Sequence, residues 1–225
     1  MRIELPWLSG KNGSAEGRAG ADGQQIVDML HGKYHHANEQ GQLFSNYNTP
    51  LGLAIPIYTG TALAGAMPLW NPASSGKKAV LVGVSLTRAS GTADFGAIGL
   101  MARNGMGSVI ATGSQCTAFA ETVPINGRLG LVNSVAGQGG GQNSVLKTSR
   151  AGTVTITAGV AAEWVETLYG MNLEANTGTA HQSIPVFHDF DGRIQVYPGT
   201  MIWLAATKAS VALFATGLWW EEVDI

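Results

Sequence analysis

Val80-Leu81-Val82-Gly83-Val84-Ser85-Leu86-Thr87, residues 80–87, decides the fold class. Val80, Val82, Val84 and Leu86 alternate with Leu81, Gly83, Ser85 and Thr87, the two-residue period of a half-buried β-strand. The run starts just after Asn71-Pro72-Ala73-Ser74-Ser75-Gly76, a turn sequence. From Pro50 onward the same texture recurs: short apolar runs at 95–101, 117–123, 129–135, 153–157, 164–173, 184–190 and 194–197, punctuated by Gly, Pro, Asn and Ser. About ten short strands with no crossover helices predict antiparallel pairing in two packed sheets. An all-β, antiparallel jelly-roll-like β-sandwich over residues 49–225 is the economical arrangement, because it leaves few open edges.

Residues 1–48 read differently, as a flexible N-terminal arm with one short helix. Residues 9–23 hold five glycines and no large apolar side chain, so they cannot bury enough surface to offset their ordering entropy. Extended, that tether reaches about 50 Å, and it carries Leu5, Pro6, Trp7 and Leu8 at its far end. After Asp22, a plausible N-cap, the residues Ile26, Met29, Leu30, Lys33, Tyr34 and Ala37 recur at helical spacing and predict a helix that ends by Gly41. Leu5, Trp7, Leu8, Tyr34 and Phe44 are the expected partner contacts of arm and helix.

Composition excludes several classes. The chain has 225 residues, 13 basic and 15 acidic, and is 12% charged, against about 25% in typical globular chains. A chain of this length can bury about 70% of its unfolded surface in one core without metal or disulfide. So sparse a charged coat suggests surface that faces protein. Without a basic cluster nothing neutralises a phosphate backbone, so nucleic acid is not an expected partner. The lone Cys116 cannot form an internal disulfide or a multi-cysteine zinc site. The first residues, interrupted by Glu4 and Pro6, lack the apolar stretch of a secretory signal. Met201–Trp220 is long enough to span a membrane, but Lys208 at its centre would cost about 2.5–3.5 kcal/mol. Two strands joined across Thr207-Lys208-Ala209-Ser210 as a hairpin explain it better, and no membrane partner is expected.

The residues that could carry chemistry form no complete set. His31 and His35 have the i, i+4 spacing of a helix-borne metal pair but no third ligand at zinc-enzyme spacing, and His181 and His188 lack a His-x-His pair. Gly83-Val84-Ser85-Leu86-Thr87 lacks the second Gly of a nucleophile elbow. Asp189-Phe190-Asp191-Gly192 reads as a turn between strands rather than a calcium loop. Glu121, Glu163, Glu166 and Glu174 could pair for glycoside cleavage, with nothing to choose among them. No enzyme, no cofactor and no metal are expected.

Three stretches carry a resemblance: Leu69-Trp70-Asn71-Pro72-Ala73-Ser74-Ser75-Gly76-Lys77-Lys78-Ala79-Val80-Leu81-Val82; residues 189–199, Asp189-Phe190-Asp191-Gly192-Arg193-Ile194-Gln195-Val196-Tyr197-Pro198-Gly199; and Leu218-Trp219-Trp220-Glu221-Glu222-Val223. They resemble structural proteins of tailed bacteriophages, most of all the jelly-roll decoration, or cement, proteins of phage heads, over residues from about 50 to 225. The resemblance implies a non-enzymatic virion protein, made in the host cytoplasm and bound to the capsid surface. Its partners would be the major capsid protein and itself, as a homotrimer, and it would hold neighbouring capsomers together. The rival is a receptor- or carbohydrate-binding module of a tail fibre or spike, since one fold does both jobs. Trp219-Trp220 with Glu221, or Tyr47 with Asn46 and Asn48, would supply the sugar site.

Overall fold

The computed structural model describes residues 9–10, 13–14, 18–19, 25–26, 33–58, 63–91, 96–108, 116–117, 119, 121–127, 144–149, 153–156, 162–170 and 185–225. The chain forms two compact units, Met1–His36 and Ala37–Ile225. In the first, Ser9–Gly10 (β1) pairs with Gly13–Ser14 (β2), and Arg18–Ala19 (β3) with Gln25–Ile26 (β4), so part of the expected tether and helix is short antiparallel ladder. Among the described residues the helix covers His35–Glu39 (α1), and residues 27–32 of the expected helix lie outside them. It ends where the sequence places its end. Gly41 adopts φ 73°, and the Gln42 N–H donates to the Ala37 carbonyl at 2.9 Å, an ending that favours a residue without Cβ.

The second unit comprises Leu43–Tyr47 (β5), Leu63–Asn71 (β6), Lys77–Ser90 (β7), Ala97–Arg103 (β8), Cys116–Thr117 (β9), Ile125–Asn126 (β10), Lys147–Thr148 (β11), Thr153–Ile156 (β12), Glu163–Gly170 (β13), Val186–Asp189 (β14), Gln195–Val196 (β15), Thr200–Ala206 (β16) and Leu213–Asp224 (β17). Eight of these pair as a nested antiparallel hairpin: β8 with β13, β7 with β14, β6 with β16, and β5 with β17. Rolled up, the hairpin gives a six-stranded sheet in the order β10-β5-β17-β7-β14, with β15 also on β7. Opposite it stands a seven-stranded sheet, β13-β8-β16-β6-β12-β9, with β11 on β6. Strands that alternate between sheets in this order form a jelly roll. The sandwich begins before Pro50, because β5 is hydrogen-bonded between β17 and β10.

Between the sheets lie Phe44, Leu81, Val84, Leu86, Leu100, Ile202, Leu204, Phe214 and Trp220. Met201, Trp203 and Ala205 alternate with Ile202, Leu204 and Ala206 and join Trp70, Met101 and Val154 in a second buried cluster on the far side of the seven-stranded sheet. Buried on both faces, β16 reads as an unbroken apolar run. That is why 201–220 imitates a membrane span; among the described residues no helix is long and apolar enough to cross a membrane.

Two pairings differ from expectation. β16 and β17 are not a hairpin: residues 207–212 carry the chain from one sheet to the other, and each strand finds its partners there. Asp191 (φ 50°) and Gly192 (φ 73°) do form a turn closed by Arg193 N–H to Phe190 O. The strands on either side of it, β14 and β15, both pair with β7 in succession rather than with each other. Within β7 the alternation reverses. The register opposite β17 jumps from Trp219↔Gly83 to Trp220↔Leu81, a bulge at Val82, so Ala79 and Leu81 face the core below it and Val84 and Leu86 above it.

Candidate functional site

The bulge that flips β7 also separates two neighbouring tryptophans. Trp220 is fully buried and stacks on Phe44 at 6.1 Å between ring centroids. Phe44, expected as a partner contact, is therefore a core residue, because β5 turns it inward. Trp219 points to the outer face of the six-stranded sheet. There it meets Tyr47 of β5 edge-on at 5.1 Å and Phe187 of β14 at 5.5 Å, in a continuous row of three rings. Phe187 is 56% exposed and Tyr47 38%.

Glycines make room for this row. A Cβ on Gly83 would lie 2.4 Å from the Phe187 ring, and one on Gly217 would lie 2.7 Å from Tyr47 and 2.9 Å from Trp219. The rings thus rest on bare backbone and are held at fixed height. Beside them, Ser85 is registered between Gly217 and Phe187, and Asp189 opposite Gly83, on the same face by strand alternation. The Asp191 N–H donates to Asp189 Oδ1 at 2.8 Å, which fixes the carboxylate and leaves Oδ2 to other donors.

A second exposed apolar feature caps one end of the sandwich. Leu51 is 79% exposed and Val211 76%, the highest values among the large apolar side chains of the described residues. Both sit on turns fastened to the same strand end: Leu53 and Phe214 exchange two backbone hydrogen bonds of 2.9 Å. Asn48 clamps the β17 backbone, donating to Phe214 O at 2.7 Å and accepting from Thr216 N–H at 2.9 Å. Gly52 and Gly91 pack so closely on Leu213 and Val211 that a Cβ on either would clash.

The remaining candidates fall apart as chemistry. Asn46 and Asn48, expected beside Tyr47 at a sugar site, are buried; Asn46 donates to Thr148 Oγ1 at 2.5 Å and so links the two sheets. Glu166 accepts from His188 Nε2 at 3.0 Å and Arg193 Nη2 at 3.2 Å, a clasp between the edge strands β13 and β14. Glu121 pairs with Lys147 at 2.6 Å, and β11, which carries Lys147, lies four strand spacings from β13, on the order of 19 Å away and too far for a glycosidase pair. Glu163 lies exposed on β13, and Glu174, His31 and His181 are outside the described residues. Among the described residues no three His, Cys, Asp or Glu side chains converge as a metal site. Tyr34 is half-buried with the Lys33 ammonium 5.1 Å from its ring centroid, while Leu5, Trp7 and Leu8 lie outside the described residues. The Trp219-Trp220 doublet is the sequence signal for the aromatic row. Phe187 carries no such signal, because only the register beside Gly83 brings it there. No protein-family model, curated protein or solved structure matches the chain.

Proposed function

We propose that this protein is a non-enzymatic structural protein of a phage virion that binds the outer surface of the capsid, with the major capsid protein as partner, and stabilises contacts between capsomers as a homotrimer. The observation that supports shell binding is the rigid apolar end, where Leu51 and Val211 stand almost fully in solvent on turns pinned by Asn48. Large apolar side chains held in place at such exposure gain most when a protein surface covers them. A ligand of the assembled lattice stabilises it by RT ln(1 + [L]/Kd), about 4 kcal/mol at a thousandfold excess over Kd, and many weak copies add. The trimer and the capsid setting rest on the resemblance of residues 69–82, 189–199 and 218–223 to head decoration proteins.

Binding of the full chain to undecorated heads tests this reading. Leu51→Asp with Val211→Asp should lower occupancy at least about tenfold with unchanged melting, the effect of losing a contact worth roughly 1.4 kcal/mol. Equal occupancy would remove the apolar end from the mechanism, and no binding by the parent chain would end the capsid reading.

A further inference from the structure

We propose that the outer face of the six-stranded sheet is a carbohydrate-binding platform, with Trp219 and Phe187 as the stacking surfaces, Tyr47 as the third wall, and Asp189 and Ser85 as hydroxyl partners. The proposal does not rest on capsid binding, since Leu51 and Val211 belong to the end of the sandwich and not to this face.

Three observations select a sugar as the occupant. The first is rigidity: the rings cross-brace one another at 5.1 and 5.5 Å and lie over Gly83 and Gly217, so little side-chain freedom is left to lose on binding. The second is the make-up of the face. Around the rings the register places Gly83, Ser85, Thr87, Ala215 and Gly217, and the branched aliphatic side chains of this face, Val80 and Leu43, stand at its Glu221 end, beyond Trp219. An apolar protein anchor would find aromatic walls without an aliphatic floor. A pyranose needs just those walls, because its axial C–H bonds carry partial positive charge and meet the negative face of an aromatic ring. The third is the polar rim. Asp189 is exposed and already oriented by the Asp191 N–H, so its free oxygen accepts a sugar hydroxyl without reorganisation. Centroid separations of 5.1 and 5.5 Å along the row put its outer rings no more than about 10.6 Å apart, the length of roughly two sugar residues. The ligand class is therefore a neutral oligosaccharide rather than a single sugar.

The test is calorimetric titration of the full chain with neutral tetrasaccharides built on glucose, galactose, rhamnose and N-acetylglucosamine. At least one should bind with a Kd between about 10 μM and 5 mM, and Phe187→Ala and Trp219→Ala should each weaken it about tenfold or more. Phe187 is more than half exposed, so its truncation leaves the fold intact, as an unchanged melting temperature will verify. Tyr197→Ala, which removes an exposed aromatic packed against Lys78 rather than Trp219, should change nothing. Failure of all four sugars to bind at about 10 mM, or binding that survives both substitutions, overturns the proposal.

Discussion

Glu222 is only 1% exposed, a carboxylate on the inward phase of β17, two residues beyond the buried Trp220. Its oxygens accept from Ser144 Oγ, from the Val145 N–H at 3.2 Å and from Trp220 Nε1 at 3.4 Å. One buried side chain thus ties residues 144–146 to the six-stranded sheet and satisfies the indole of a fully buried core tryptophan. Glu222→Ala would strand those donors and open a gap. It should cost about 2–4 kcal/mol in denaturant unfolding, whereas Glu222→Gln, which keeps an acceptor, should cost less than half of that. A loss below about 0.5 kcal/mol for the alanine variant would show that water replaces the carboxylate. Sequence does not disclose such a role, because a Glu beside Glu221 at the end of an apolar strand reads as solvent-facing. The same blindness applies to Phe44: only its inward turn on β5, opposite Trp220, distinguishes a core ring from a contact ring.

At the scale of the element, the strands legible in sequence are those whose alternation is local, and the others are hidden by a single residue. β6 runs through the centre of its sheet between β16 and β12, where Pro68 argues against a strand because it lacks an N–H. The chain accommodates it with a bulge: Met67 takes φ 52°, the register slips opposite Trp203, and the Pro68 carbonyl accepts from Thr148 Oγ1 at 2.9 Å. β5 is hidden by its buried Asn46, whose amide partners lie more than a hundred residues away in sequence. This placement sharpens the consequence of truncation. Removal of residues 1–36 spares every strand of the sandwich and should leave melting within about 3 °C, a change below roughly 1 kcal/mol. Removal of residues 1–48 takes away β5, its pairing to β17 and the Phe44 ring. That variant should lose cooperative unfolding by circular dichroism, and a cooperative transition within 3 °C of the parent would show β5 to be dispensable.

At the scale of the whole molecule, the nested pairing makes the ends of the sandwich sequence its centre. β17 lies between β5 and β7, joined to β7 from Leu213↔Ser90 to Asp224↔Lys77 and to β5 from Gly217↔Tyr47 to Glu221↔Leu43. It supplies Phe214, Leu218 and Trp220 to the core, and Trp219 to the outer face. A sheet that must wait for its last strand closes long loops before it gains contacts, which predicts slow folding, milliseconds to seconds. It also predicts that no stable partial sandwich precedes β17, because without it the six-stranded sheet is two fragments with open edges. Deletion of residues 213–225 should therefore give a chain without near-ultraviolet dichroism and with amides that exchange freely across β6 and β8, strands the deletion never touches. Protection retained in β6, β8 and β16 would reveal instead that the seven-stranded sheet, whose β16 is buried on both faces, is an independent folding unit onto which the other sheet docks.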